Sequence, residues 1–264
     1  MCRWAAYTGK PIFLDEIVSL PKHSLIQQSH CATECKSAIN ADGFGLAWYS
    51  ERPEPGLYRD VMPAWSDPNL KSLVAQVRSG LFLAHVRAST GTATSRNNCH
   101  PFTSGRWSFM HNGQVGGFDG FRRDAEMLIS DAYYPQRRGA TDSEALFLVA
   151  LAEGLDDDPA GALARSVARF EALSRTKGCV PHMRLTAALS DGQRLYAVRY
   201  ASDEQAPTLY HRWSATRGGR AVVSEPLETD EDGWEAVPAG SFCTFDGEGV
   251  NISPFVPAAL SKAA

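Results

Sequence analysis

The sequence predicts an α+β fold built on antiparallel sheets, and three observations carry that prediction. Short apolar strands are mixed with two strong helical patterns, without a regular strand–helix–strand repeat. The dipeptide Asp191-Gly192 separates two alternating segments, which is a hairpin signal. No GxGxxG follows a strand and no GxxxxGK[ST] occurs, so dinucleotide and P-loop readings have no support.

The elements follow in order. Residues 2–7 (CRWAAY) and 43–49 (GFGLAWY) read as short strands. The stretch 52–68 is rich in proline and turn formers and reads as the weakest point of the chain. Ser66-Asp67-Pro68 then opens a helix, with Leu70, Leu73, Val74 and Val77 on one face. Residues 81–86 (LFLAHV) and 107–111 (WSFMH) read as buried strands, and 143–153 and 160–174 as helices. Strands at 183–190 and 194–200 flank the Asp-Gly turn, and further short strands fit 208–213, 220–224 and 241–246. There is no internal repeat and no long linker. One domain over residues 2–257 is the economical reading, with 258–264 a C-terminal tail.

Composition narrows the function classes. The chain has 264 residues, 44% hydrophobic and 21% charged, which fits a folded globular protein and excludes wholesale disorder. Twenty-six basic residues face 30 acidic ones, a net charge of −4, so no basic excess exists to neutralise a nucleic-acid backbone. No apolar run is long enough to cross a bilayer and no secretory h-region follows the N-terminus; the expected location is cytoplasmic. The six cysteines are scattered and read as free thiols. His30 and Cys31-x3-Cys35 lack a second ligand pair, so no metal is expected, and no cofactor is called for.

The chemistry starts at Cys2. Removal of Met1 would give one residue both a thiol and a free α-amine, the latter with a pKa of roughly 7.7–8.0, so nucleophile and general base would share a residue. Three blocks follow: His85-Val86-Arg87-Ala88-Ser89-Thr90-Gly91; Asn98-Cys99-His100-Pro101-Phe102 with His111-Asn112-Gly113; and Thr141-Asp142-Ser143-Glu144 at a helix start. Each has an ordinary explanation: a strand-end charge, an Asn-Gly turn, an N-cap. Together they suit the groups of free glutamine. Arg87 offers a planar bidentate cation to an α-carboxylate, and Asp142 a carboxylate to an α-ammonium. The Asn112 amide and the Gly113 N–H are adjacent donors for an oxyanion, and Gly113, lacking Cβ, lets the backbone approach a ligand.

These blocks, with Met1-Cys2-Arg3 and Asp42-Gly43-Phe44-Gly45, resemble in order the class II glutamine amidotransferases, which are N-terminal-nucleophile hydrolases. The resemblance extends less specifically through 221–226 (AVVSEP) and 241–246, and looks closest to the short, stand-alone branch that includes the γ-glutamyl amidohydrolase of ergothioneine synthesis. It implies a four-layer αββα sandwich, Cys2 as nucleophile with its own amine as base, Asn112 and Gly113 as the oxyanion hole, and Arg87, Thr90 and Asp142 as glutamine contacts. Thr90 is followed by Gly91, where many synthase-linked relatives have His-Gly; this fits the stand-alone branch. His85, His100 and His111 are read as orienting groups beside the site. His23, His30, His182 and His211 have no partner legible in sequence. Cys99 is read as a packed thiol, and Trp4, Phe44, Trp48 and Trp107 as core or pocket wall.

Three functions stay open. The first is an amidotransferase that releases ammonia from glutamine to a separate acceptor enzyme. The second is a hydrolase of larger γ-glutamyl compounds. The third is a non-catalytic glutamine-binding regulatory module, favoured if Met1 stays attached and blocks the amine.

Overall fold

The computed structural model of the chain describes residues 2–33, 39–89, 91–228 and 233–257. The strand β1 (Arg3–Phe13) is followed by two short helices, α1 (Asp15–Val18) and α2 (Leu25–His30), then by β2 (Phe44–Tyr49), β3 (Gly56–Asp60), α3 (Pro68–Val74) and β4 (Arg78–Val86). Next come β5 (Phe102–Ser104), β6 (Trp107–Val115) and the helices α4 (Phe118–Glu126), α5 (Asp142–Ala152) and α6 (Pro159–Thr176). The chain ends with β7 (Met183–Ser190), β8 (Leu195–Ala201), β9 (Tyr210–Ser214), β10 (Gly219–Val223), β11 (Glu235–Ala236), β12 (Ser241–Asp246) and β13 (Gly249–Pro254).

Among the described residues these strands form two antiparallel sheets. One runs β11-β9-β10-β1-β4-β2-β3, with β1 in the middle; the other runs β13-β12-β8-β7-β6-β5. Side-chain alternation along each strand sorts the core into three apolar layers. Ala5 and Tyr7 of β1, Phe82 and Ala84 of β4, and Phe44 of β2 pack against α1, α2 and α3. Trp4, Ala6, Leu81 and Leu83, one residue out of phase, meet Met110, Ala188, Ala197 and Phe245 between the sheets. Phe109 of β6 and Leu185 and Leu189 of β7 pack outward against α4, α5 and α6. Three cores separate four layers, and the αββα sandwich implied by the motifs is the fold.

Local chemistry explains the helix starts. Asp67 caps α3 by accepting from the Asn69 and Leu70 N–H groups, with Pro68 in the first turn. Thr141 caps α5, its hydroxyl accepting from Glu144 N–H at 3.2 Å. α5 is buried on every side between the second sheet and α6, so its sequence is apolar all round. Phe147 of α5 stacks on Phe109 at 5.4 Å between ring centroids. Its truncation to Ala would cost about 3–5 kcal/mol through lost burial and the cavity left behind.

Some elements depart from expectation. The proline-rich stretch holds the edge strand β3, which among the described residues pairs with β2 alone. α1, α2, α4, β5 and β13 were not expected. α4 carries Gly120 and a non-helical Phe121, so it has no clean helical period to read. Cys35 and the tail 258–264 lie outside the described residues.

Candidate active site

Cys2 sits just before β1, which pairs with β4 in the register Arg3↔Val86 and Trp4↔His85. Continuing that register places Cys2 across from Arg87. Both then lie on the face of Trp4 and His85, the face turned toward the second sheet. The thiol is fixed against the chain just beyond β4: Cys2 Sγ accepts from Ala88 N–H at 3.4 Å and donates to Ala88 C=O at 3.5 Å. Burial pushes the thiol pKa up, against a lowering by the Ala88 hydrogen bond and the charge of Arg87. The group is therefore a thiol at neutral pH, and its attack needs a base at hand.

Asn112 and Gly113 come from the opposing sheet. Asn112 shares the parity of Met110, which lies in the inter-sheet layer. Its backbone C=O accepts from Thr186 Oγ1 at 3.1 Å, but neither its side-chain N nor its side-chain O has a hydrogen-bond partner among the described residues, although the residue is fully buried. Gly113 has φ +151°, and a Cβ there would collide with the Arg184 carbonyl and the His111 ring. Only glycine fits, for both reasons.

Arg87 is 3% exposed and makes no ion pair among the described residues. Its guanidinium donates to Asp42 C=O (3.2 Å), Ser89 Oγ (3.1 Å) and Thr92 Oγ1 (2.6 Å). Asp42 in turn accepts from Ser89 N–H at 2.7 Å. A buried cation held only by neutral groups is arranged to take an anion. Asp142 opens α5; its Oδ2 accepts from Val115 N–H at 2.9 Å and its Oδ1 from Ser143 N–H at 2.7 Å. Asp142 and Thr92 line the same cleft, about 310 Å3, with Gln114 to Gly120 along one wall. Thr92 thus joins Arg87 to Asp142. Cys2 and Asn112 lie outside the cleft's lining. Thr90 lies outside the described residues.

The three histidines of the motif blocks form one buried, neutral group. His85 Nε2 bonds His111 C=O at 3.3 Å, linking β4 to β6 across the two sheets. His85 and His100 rings lie 4.3 Å apart, and His111 Nδ1 reaches Ser143 Oγ at 2.9 Å on α5. Burial drives the His85 pKa down to about 3, with Arg87 and His111 adding to the effect, and burial lowers His100 and His111 as well. Cys99 is buried beneath Gly43, and desolvation raises its pKa to about 11, as a packed thiol requires.

Sequence reasoning missed several partners. Asp42, Ser89 and Thr92 hold Arg87, although Asp42-Gly43 and Ser89 stood inside the motif blocks. His23 binds Glu225, His30 stacks on Trp65, His182 meets Ser174, and His211 meets Arg220. All four contacts join residues from different elements, which no local pattern announces.

Residues 23–212 match the family model for class-II glutamine amidotransferases. The chain is 32% identical over 302 residues to the probable glutamine amidotransferase DUG3 of Saccharomyces cerevisiae, covering 97% of this chain and 85% of that one. It is 28% identical to the gamma-glutamyl-hercynylcysteine sulfoxide hydrolase of Mycolicibacterium smegmatis, over 90% of this chain and 92% of that one. A solved glutamine aminotransferase class-II domain protein from Silicibacter pomeroyi is 54% identical, with a TM-score of 0.80 over 98% of this chain and all of that one.

Proposed function

The chain belongs to the class II glutamine amidotransferases, and from that membership we propose that it cleaves γ-glutamyl amide bonds with Cys2, freed of Met1, as the nucleophile. The observation that carries the proposal is the Asn112 side chain, fully buried with both polar atoms unpartnered among the described residues, on the inter-sheet face shared with Cys2. An unpaired buried amide costs about 1–3 kcal/mol. A ligand that supplies the missing acceptor removes that cost.

In this reading Arg87 takes the substrate α-carboxylate, Thr90 is a further glutamine contact, and Asp142 takes the α-ammonium. The Cys2 α-amine, in its neutral form, removes the thiol proton as sulfur attacks the γ-carbonyl carbon. The oxyanion is held by Asn112 Nδ2–H and Gly113 N–H, donors that strengthen as charge develops. Collapse breaks the C–N bond, and the proton returns from the amine to the departing ammonia or amine. A γ-glutamyl thioester remains on Cys2; water, deprotonated by the same amine, releases glutamate and regenerates the thiol. The buried histidines stay neutral and serve as scaffold. Residues 2–257 act as one domain. No helix among the described residues is long and apolar enough to cross a membrane, and a cytoplasmic location is part of the proposal.

A second reading, hydrolysis of a γ-glutamyl compound larger than glutamine, is favoured by the similarity to a relative named gamma-glutamyl-hercynylcysteine sulfoxide hydrolase. The test is glutamate release from L-glutamine beside release from γ-glutamyl dipeptides and γ-glutamyl arylamides. Faster turnover of glutamine supports ammonia release to a separate acceptor enzyme. Faster turnover of the larger amides supports the second reading. No glutamate from any of them would overturn both and leave a glutamine-binding module.

A further inference from the structure

We propose that the buried ion pair Arg3–Glu225 is the positioning device for the N-terminal nucleophile, holding the Cys2 carbonyl and through it the amine and the thiol-bearing side chain carried by the adjoining Cα. The proposal rests on the assignment of Cys2 as nucleophile. A chain that begins at Cys2 has no preceding peptide to fix it, and free termini fray. The residue carrying both nucleophile and base must therefore be held from its carbonyl side.

The structure supplies that hold. Arg3 Nε lies 2.7 Å from Glu225 Oε2, with the two side chains 0% and 1% exposed. Arg3 Nη1 donates to the Cys2 carbonyl at 3.3 Å. Glu225 is itself fixed from three directions. Its Oε1 accepts from Thr33 N–H at 2.9 Å, from Thr33 Oγ1 at 2.7 Å and from His23. Gln28 Nε2, from α2, donates to Glu225 C=O at 3.2 Å and to Pro226 C=O at 3.3 Å. Just upstream, Ser224 Oγ accepts from Trp4 N–H at 2.9 Å while Ser224 N–H donates to Trp4 C=O at 3.0 Å, extending the β1–β10 pairing to the start of the strand. Burial raises the Glu225 carboxyl, but its hydrogen bonds and the Arg3 charge outweigh burial and hold it at about 2.

A purely structural role accounts for this poorly. Apolar side chains of similar volume fill a buried site at least as well as an ion pair does. Arg3 also faces the helical layer, the side away from the substrate, so the pair does not touch ligand; it acts through the Cys2 backbone. The sequence blocks Met1-Cys2-Arg3 and Ser224-Glu225-Pro226 thus meet in one clamp, 222 residues apart in number between Arg3 and Glu225.

The test uses the full chain, with Met1 loss verified by intact mass, and the rate of Cys2 alkylation by 6-diazo-5-oxo-L-norleucine as a function of its concentration. The double variant Arg3→Met with Glu225→Leu removes both charges together and so avoids leaving one buried and unpaired. We expect it to melt at or above the wild-type temperature. Its maximal alkylation rate should fall roughly tenfold to a hundredfold while the half-saturating concentration stays within about threefold, the signature of a misplaced reacting group. Arg3→Lys, which keeps a charge at the pair, should recover part of the rate. A folded double variant alkylated at the wild-type maximal rate would overturn the positioning role, and so would a loss confined to half-saturation. Absence of Cys2 labelling in the wild-type chain strikes the nucleophile assignment itself.

Discussion

Two buried polar clusters, one at the start of α5 and one between the sheets beside Cys2, are built from similar residues but are finished differently. At the start of α5, Arg137 uses all three guanidinium nitrogens, on Glu126, Glu144 and the Thr141 carbonyl. Glu144 also accepts from the Arg138 and Gly139 N–H groups, at 3.0 and 2.8 Å. Asn98, nearby, spends both ends of its amide on Ala140 and Ala93. Between the sheets, both amide atoms of Asn112, both ring nitrogens of His100 and one of His85 have no partner among the described residues. The first cluster shapes a loop that delivers Asp142. The second is incomplete among the described residues, and in the proposed function a substrate completes the bonding at Asn112. Removing a group from the first should cost stability; removing one from the second should cost rate.

The widest separation is expected at Cys2. Cys2→Ala should lower glutamate release by about five orders of magnitude, in the range seen when a catalytic nucleophile is deleted. Its melting temperature should stay at the wild-type value, and steady-state kinetics beside a thermal melt checks both. Next comes Glu144→Gln, which removes one of the two carboxylates held by buried Arg137. It should lose about 1.5–3 kcal/mol in denaturant unfolding while kcat per folded molecule holds. Asn112→Ala should do the reverse, lowering kcat by about 10²–10³ with little change in KM or stability. If Asn112→Ala unfolds the chain, or Glu144→Gln lowers kcat in a fully folded sample, the comparison fails.

The smallest effect is one of pH. His85 has a folded pKa of about 3 against an ordinary value of 6.5, because burial disfavours its charged form. The unfolded chain therefore binds the extra proton first. The stability from neutral His85 is fully present above pH 6.5 and falls as pH drops below it, until the folded pKa is reached. The loss is about 1.4 kcal/mol per pH unit, or about 2 kcal/mol by pH 5, from this residue alone. Urea midpoints at pH 7 and pH 5 measure it. His85→Gln should flatten part of that slope.

Much of this was legible in the sequence, and for definite reasons. Cys2, Arg87 and Asp142 stand in short blocks at strand or helix ends, where local periodicity already places them; Asn112-Gly113, expected just after a strand over 107–111, lies inside β6 instead. The antiparallel class followed from the Asp191-Gly192 turn, which does join β7 to β8. What sequence did not disclose is long-range or irregular. Nothing near Arg3 announces Glu225, and nothing near His85 announces the His111 carbonyl. β3 was hidden because an edge strand in a proline-rich stretch shows weak alternation, and α4 because Gly120 and Phe121 break its period. The role of Glu144 was half read. Its N–H is capped by Thr141 as expected, but its carboxylate turns to Arg137 and the 138–139 backbone.

The central claim is that a processed Cys2 carries the acyl group, and one measurement addresses it directly. The protein is mixed with a γ-glutamyl substrate, quenched in acid during turnover, and examined by intact mass and peptide mapping. The account predicts loss of Met1 and a γ-glutamyl thioester on the peptide that begins with Cys2. Turnover by protein that retains Met1, or an acyl group mapped to any other residue, would contradict it.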